Sequence, residues 1–279
     1  TITQAFLHAP EAQMLYCVFN KKNQKEASEK IQDLRVDIKT LHSLGYSYIL
    51  SVWPQAKPDN SVERDRIADV FKGIDDEPAE VIERLVGYAK NTYVNPSLAD
   101  LESLCVERDL YSSLEAKEDG GWTSAKLSEV ALDALNLAKT RDPLNRISFN
   151  DMVWLPVANR WVRPRYDLVV VDEAQDMNLL QLLMARGACR RGGRICVVGD
   201  DRQAIYGFRG AAQDGMGMMQ CDLSAAKLSL STTYRCPKSV VALAALLVPD
   251  YLAADSAPEG TVDECTQLEL YDKISINDA

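Results

Sequence analysis

The chain has 279 residues, of which 47% are hydrophobic and 26% charged, and this composition is that of a globular protein rather than a disordered or fibrous one. The longest apolar run, Val240 to Val248, stops at Pro249 and is far shorter than the roughly 18 residues of a membrane-spanning helix. With 31 Lys and Arg against 41 Asp and Glu, the net charge is −10. This charge excludes proteins that hold duplex DNA by bulk electrostatics, so any nucleic-acid contact must be local.

The cysteine pattern indicates the redox compartment of the protein, and the first residues indicate whether the chain is part of a longer one. Seven cysteines occur without a C-x-x-C pair, beside only two histidines, which indicates neither a zinc site nor a disulfide framework. A soluble protein of the reducing cytoplasm, with no membrane partner, is therefore expected. The sequence opens on Thr1 with neither an initiator Met nor a signal peptide, so we expect a piece cut from a longer protein.

The middle of the chain predicts α/β architecture. Tyr166 to Val171 and Arg194 to Asp200 are short apolar runs that end in acid, and a helical pattern from Asn178 to Cys189 separates them. Near-continuous apolar strands with a helix between them are typical of a parallel sheet covered on both faces. The upstream elements are predicted to be a strand at Met14 to Phe19, a helix at Lys21 to Asp33 and a strand at Val36 to Ile38.

Two regions flank this pattern differently. From about residue 51 to residue 140, the sequence pattern predicts a helical insertion without strands. The predicted helices are Val62 to Lys72, Pro78 to Asn91, Ser97 to Glu107 and Ser124 to Lys139. The last region predicts a strand at Lys227 to Leu230, a helix at Pro237 to Val248 and a strand at Thr261 to Leu270. We therefore expect a first domain at 1–222 and the truncated beginning of a second at 223–279.

An acidic run, Asp172-Glu173-Ala174-Gln175-Asp176, follows the first central strand. Open parallel sheets bind ligands at the carboxyl ends of their strands. In a phosphate-handling site, the first acid holds Mg²⁺ and the next polarises the attacking water. The alternative is a solvated acidic loop at a helix start, where the helix dipole favours acids in any protein.

Two further runs carry polar and aromatic residues. Gly199 to Ala211 contains Gln203, able to donate toward a phosphate, with Tyr206 and Phe208, which are either ligand platforms or buried core rings. Leu230 to Pro237 contains Tyr234 and Arg235, either a surface pair or an aromatic face and a cation for a nucleotide.

Together these runs resemble the UvrD/Rep-like branch of superfamily 1 DNA helicases. The acidic run is similar to that family's acid motif, Val198 to Ala211 to its third motif, and Leu230 with Tyr234-Arg235 to its fourth. Phe19-Asn20-Lys21-Lys22 resembles motif Ia, Lys39 to Gly45 the Thr-x-His motif on the DNA side, and Phe149 to Met152 the helix before the acid strand. No G-x-x-x-x-G-K-[ST] phosphate loop occurs, although Thr1 to Leu7 looks like the helix that follows one, and the family's last two motifs are absent.

The resemblance implies a RecA-like P-loop NTPase domain and the start of a second one, using ATP and Mg²⁺. It implies translocation on single-stranded DNA with 3′–5′ polarity and unwinding at single/double-strand junctions. In this interpretation Asp172 holds Mg²⁺, Glu173 orients the water, Gln203 and Arg235 act on the γ-phosphate, and Tyr234 stacks on adenine. The implied DNA contacts are Phe19, Asn20, Thr40, His42, Tyr206, Phe208 and Arg209.

Alternatives remain open at this point. A non-catalytic nucleic-acid-binding or regulatory remnant of the helicase fold would also lack the phosphate loop. A nucleotide-binding oxidoreductase is excluded, because no G-x-G-x-x-G opens a strand-to-helix turn. His42 alone is more typical of a capping or packing residue, and the resemblance favours a DNA contact. The basic cluster of Arg186, Arg190, Arg191 and Arg194 is interpreted as structural or solvated, around a helix C-terminus.

Overall fold

The computed structural model describes residues 9–110, 112–115, 121–203 and 215–263. The chain divides into two compact units, Thr1–Leu223 and Ser224–Ala279. Among the described residues, no helix combines the length and the apolar content needed to cross a bilayer.

The first unit is built on a four-stranded parallel sheet, as the sequence predicted, in the order β2-β1-β5-β6. Its strands are β1 (Met14–Val18), β2 (Val36–Thr40), β5 (Tyr166–Val171) and β6 (Cys189–Val197). Leu15, Cys17 and Val169 have no exposed surface, because helices cover the sheet. All four strands run the same way, so their carboxyl ends, and the segments that follow them, lie at one edge of the sheet.

Four helices of the first unit follow or precede these strands: α1 (Lys21–Lys30), α2 (Leu41–Val52), α8 (Asp151–Ala158) and α9 (Leu179–Ala188). Helices α2 and α8 cross very closely at Gly45. A Cβ atom there would stand 1.8 Å from the backbone oxygen of Met152, so only glycine permits this crossing. The crossing fixes the beginning of α8 against the helix that carries His42.

The insertion is helical, as predicted. Its helices are α3 (Val62–Val70), α4 (Asp76–Thr92), α5 (Leu98–Glu107), α6 (Ser112–Glu115) and α7 (Ser124–Ala138). The expectation of no strand in this region was wrong, because β3 (Lys57–Pro58) pairs in parallel with β4 (Arg146–Ile147). Each of these strands has two residues, too few to show a periodicity, and together they close the two ends of the insertion.

A buried charge cluster joins the insertion to the first unit's core. The Asp151 carboxylate accepts from the Lys90 ammonium at 2.6 Å and from the Arg66 guanidinium at 2.7 Å. Glu63 completes the cluster with a contact to Lys90 and another to Arg66 at 3.4 Å. Although burial by itself raises the pKa of Asp151, the two cations outweigh it and hold that pKa below its usual value. The cluster ties α3 and α4 to the first residue of α8.

Helix α10 (Gly215–Leu223) ends the first unit. The predicted bounds of β6 need correction: the strand begins at Cys189 and ends at Val197, not at 194 and 200. It begins earlier because Cys189 already pairs with Tyr166, and an irregular register separates this pair from the next one, Arg194 with Leu168. Arg190 and Arg191 directly follow the C-terminus of α9, as predicted, and with Arg194 they lie on β6. Arg190 pairs with Asp167, and Arg186, in the last turn of α9, pairs with Asp222 at 2.6 Å.

The second unit contains β7 (Thr232–Thr233), α11 (Lys238–Ala244) and β8 (Leu252–Ala253), and β7 pairs in parallel with β8. The strand predicted at Lys227 to Leu230 was wrong. Leu228 and Leu230 are exposed, and the residues that pair come later, at Thr232 and Thr233. Pro237 is the N-cap of α11 rather than part of its first turn, and the helix ends four residues before Val248. Residues 261–263 are not strand, and the rest of the strand predicted to end at Leu270 lies outside the described residues.

Candidate functional site

The acidic loop begins where β5 ends, at the carboxyl edge of the sheet. The Asp172 amide donates to the Cys17 carbonyl at 3.0 Å, which continues the β1–β5 ladder into the loop. The Tyr16 hydroxyl donates to Asp172 Oδ2 at 2.6 Å, and the Glu173 amide donates to Asp172 Oδ1 at 3.2 Å. Burial, followed by the bond to Asp172, raises the pKa of Tyr16, so the phenol stays protonated. Both carboxylate oxygens of Asp172 are thus held by fixed donors.

Glu173 has a left-handed backbone, with φ 53° and ψ 45°. This conformation costs a non-glycine residue about 1–2 kcal/mol, and such strain clusters at functional sites. The turn leaves Glu173 exposed at the sheet edge while the following residues, Ala174 and Gln175, are buried. The structure thus places an exposed carboxylate next to a fixed one, and the water-orienting role of Glu173 stays a prediction.

A chain of hydrogen bonds connects Glu173 to Gln203. Gln175 Nε2 donates to Glu173 Oε2 at 2.8 Å, and Gln175 Oε1 accepts from the Asp200 amide at 3.1 Å. Gln203 Nε2 then donates to Asp200 Oδ2 at 2.8 Å. A Cβ atom at Gly199 would stand 2.5 Å from Gln175 Oε1, so glycine is needed for Gln175 to bridge the two loops. The structure therefore brings Asp172, Glu173 and Gln203 to one edge of the sheet.

The carboxylates around Glu173 have the chemistry of a partial Mg²⁺ site. Asp176 Oδ1 is buried without a hydrogen-bond partner in the described structure, and burial together with the Glu173 charge raises the pKa of Asp176. No group of three or more His, Cys, Asp and Glu side chains among the described residues is arranged to hold a metal ion. Proteins usually hold Mg²⁺ through one or two carboxylates, water and substrate phosphates. Asp172 fits that donor set, with the phosphates supplied by a nucleotide.

The residues predicted to contact DNA include two helix caps at the same edge. Asn20 Oδ1 accepts from the Asn23 amide at 2.8 Å at the start of α1, and Thr40 Oγ1 accepts from the Ser43 amide at 3.2 Å at the start of α2. Both helices follow parallel strands, so their N-termini lie at the carboxyl edge of the sheet. Helix N-termini favour anions such as phosphate. Phe19, just before the first cap, is half-buried.

His42 stacks on a residue that was not predicted as a site residue. Its imidazole lies over the Phe149 ring, with centroids 4.0 Å apart and planes inclined by 20°. Burial lowers the pKa of His42 to about 4, so the imidazole is neutral at pH 7. Phe149 keeps 56% of its surface exposed, which is unusual for so large an apolar ring. The pair thus forms an aromatic surface whose solvent-exposed ring is that of Phe149.

The remaining predicted site residues lie outside the described residues or in the second unit. Tyr206, Phe208 and Arg209 lie outside the described residues. Tyr234 and Arg235 belong to the second unit, where they follow β7 with exposed side chains, and the Arg235 amide donates to Thr233 Oγ1 at 3.2 Å. Their approach to Asp172 and Glu173 stays a prediction.

Sequence reasoning missed the supporting roles of Tyr16, Gln175 and Phe149. Gln175 lies inside the acidic run, and its position between two acids was a usable signal for a bridging amide. Tyr16 and Phe149 act through contacts to residues 156 and 107 positions away, and no local pattern reports such contacts.

Comparisons with known proteins give a family model and several named relatives that are similar to this chain. The family model described as the UvrD/REP helicase N-terminal domain matches residues 7–223. DNA helicase II of Rickettsia typhi is 24% identical over 258 residues, which are 84% of this chain and 37% of that protein. ATP-dependent DNA helicase Rep of Escherichia coli is 32% identical over 113 residues, which are 37% of this chain and 17% of that protein. The chain thus spans less than two fifths of the length of either relative.

Proposed function

The chain belongs to the UvrD/REP helicase N-terminal domain family, and from this premise we propose that it is the nucleotide- and DNA-handling part of an ATP-dependent helicase on single-stranded DNA. The relatives named DNA helicase II and ATP-dependent DNA helicase Rep support this proposal. The finer parts of the proposal are 3′–5′ polarity, action at single/double-strand junctions and a place in the cytoplasm.

The nucleotide chemistry is assigned to the acidic loop and its partners. In this proposal Asp172 would hold Mg²⁺, and the bound ion would neutralise negative charge on the phosphates. Glu173 orients the attacking water, and its exposed position beside a fixed carboxylate supports that role. Gln203 contacts the γ-phosphate and reports its loss through Asp200 and Gln175. From the second unit, Tyr234 would stack on adenine and Arg235 would bind the γ-phosphate.

The DNA contacts are assigned to the aromatic surface and the helix caps. His42 with Phe149 supplies a stacking face, and stacking contributes about 1–3 kcal/mol per base whatever the sequence. A neutral stacking face suits a chain of net charge −10, which cannot attract DNA by bulk charge. Phe19, Asn20, Thr40, Tyr206, Phe208 and Arg209 complete the proposed contacts.

One observation carries the proposal: the continuous hydrogen-bonded chain from Glu173 through Gln175 and Asp200 to Gln203. It joins a carboxylate suited to water activation to an amide suited to a phosphate. A solvated acidic loop, the alternative considered above, requires no such chain and no strained backbone at Glu173.

The experiment is a single-strand-stimulated ATPase assay on the chain extended by its natural flanking sequence. Glu173→Gln removes the charge that orients water and keeps the shape, so turnover should fall by about 10²-fold or more with nucleotide binding largely kept. Glu129→Gln, the same change at an exposed site of α7, should have no effect. Absence of stimulated turnover in the unsubstituted protein would instead favour the non-catalytic remnant.

A further inference from the structure

A shallow groove crosses the insertion beside the beginning of α8. Five residues line it, and none is acidic: Arg84, Gly87, Tyr88, Asn91 and Asn150. The first four recur at helical spacing on one face of α4, and Asn150 is the N-cap of α8. Arginine, tyrosine and asparagine side chains on one surface are the donors and rings with which proteins bind nucleic acid.

The groove carries cations that are not neutralised. Arg84 is exposed and has no ion-pair partner among the described residues. Arg64, on the neighbouring helix α3, is by contrast paired with Asp76 at 2.8 Å and lies 4.0 Å from Glu83. The Arg108 guanidinium stands 5.0 Å from the centroid of the Tyr88 ring, so a second cation borders the groove.

The two asparagines of the groove differ in whether their side-chain amides are hydrogen-bonded. Asn91 is fixed, because its Oδ1 accepts from Asn178 Nδ2 at 2.8 Å and its Nδ2 donates to the Gly87 carbonyl at 2.9 Å. No side-chain hydrogen bond in the described structure engages the Asn150 amide. Asn150 therefore keeps both its donors and its acceptor for a ligand.

The groove adjoins the aromatic pair along the chain. Phe149, which stacks on His42, immediately precedes Asn150, and neighbouring Cα atoms are about 3.8 Å apart. The backbone of Asn150, which lines the groove, therefore lies directly beside the residue on which the strand is proposed to stack.

We propose that this groove binds the continuation of the single strand that stacks on His42 and Phe149. Arg84 binds a backbone phosphate, Tyr88 with Arg108 supports a base, and Asn150 donates to the phosphate or base edge between them. The proposal rests on the proposed function and extends it, because it assigns to the insertion a part of the DNA path that none of the matched motifs covers.

Gly87 offers a way to close the groove without removing charge. A Cβ atom at this position would meet only Asn150 Nδ2, at 3.6 Å, so the site is roomy enough for a methyl group. Gly87→Phe should fill the groove, whereas Gly87→Ala should leave it open and, within a helix, stabilise the fold slightly.

The test measures fluorescence anisotropy of a labelled oligothymidylate, one long enough to cross both surfaces and one that covers only the aromatic surface. For the long strand, Arg84→Ala with Tyr88→Ala, and separately Gly87→Phe, should weaken binding about tenfold. Arg64→Ala and Gly87→Ala are the matched controls and should change it less than about twofold. All of these variants should bind the short strand as the unsubstituted chain does, and their thermal unfolding checks that they fold.

A second arm separates failure of the groove from failure of the function. His42→Ala with Phe149→Ala should weaken binding of both strands. If only this pair has an effect and the groove variants bind the long strand normally, the groove proposal is wrong and the proposed function stands. If the unsubstituted chain binds neither strand, both are wrong.

Discussion

Tyr16 is the residue that orients the proposed Mg²⁺ ligand. Its phenol donates to Asp172 Oδ2 at 2.6 Å, and a hydrogen bond to a charged group contributes about 1.5–3 kcal/mol. Tyr16→Phe should therefore raise the Mg²⁺ concentration needed for nucleotide binding about tenfold, because the carboxylate loses its fixed orientation. Mg²⁺ titration of fluorescent-nucleotide binding in the extended protein measures this.

The same sheet offers a matched control for that substitution. Tyr166 donates to Asp37 Oδ2 at 2.6 Å, a pair with the same geometry that lies away from the acidic loop. Tyr166→Phe should leave the Mg²⁺ requirement unchanged. Equal shifts in the two variants would mean that Tyr16 contributes only to general stability.

The protonation of His42 makes the stability of the folded chain depend on pH. Its folded pKa of about 4 lies below the usual 6.5, so the unfolded chain binds the proton more tightly. Above pH 6.5 the neutral imidazole contributes about 3 kcal/mol to the free energy of unfolding. This contribution is lost as the pH falls toward 4. His42→Phe keeps a ring over Phe149 and should remove this part of the pH dependence in urea unfolding. An imidazole titrating near 6.5 by NMR would contradict the burial.

The sequence was sufficient to predict which side chains lie together where they directly follow a recognisable strand. Asp172, Glu173 and Gln203 lie on loops that directly follow β5 and β6, so the parallel order of the strands brings them together. Tyr16 and Phe149 could not be predicted, because their contacts depend on how strands and helices far apart in sequence pack.

Among the elements, the helical insertion depends on its buried charge cluster. Lys90→Met should lower the free energy of unfolding by about 3–5 kcal/mol, because the Asp151 and Glu63 carboxylates lose a buried partner. Lys139 is a matched control, since its ammonium lies 5.5 Å from the Trp154 ring, as that of Lys90 lies 5.4 Å from it. Lys139→Met should cost less than about 1 kcal/mol. Chemical denaturation that gives equal values for both variants would contradict this account of the cluster.

Element prediction succeeded where a pattern was long enough to show its period. Helices α4 and α7 were found within about two residues of their ends, and the long apolar run of β5 was found in full. The two-residue strands β3 and β4 carry no period. The strand predicted at Lys227 to Leu230 does not form, because its two leucines are exposed and no neighbouring strand in the described residues pairs with it.

Across the first unit, the residues proposed to bind nucleotide and those proposed to bind DNA lie at one edge of one sheet. The acidic loop and Gln203 follow β5 and β6, while Asn20 and Thr40 cap the helices that follow β1 and β2, and His42 lies in the second of these helices. In the proposed function, neighbouring loops at this edge would give the nucleotide a short path to the DNA strand. Coupling between two sites is reciprocal in its binding free energies, so a DNA measurement can report on the nucleotide site.

The most direct test of this shared edge is the affinity for single-stranded DNA with a non-hydrolysable ATP analogue and with ADP, measured in the extended protein. We expect the two affinities to differ by about fivefold or more, because loss of the γ-phosphate releases Gln203. In Gln203→Ala the two affinities should become equal. Equal affinities in the unsubstituted protein, with both nucleotides bound, would contradict the claim that this edge of the sheet couples nucleotide to DNA.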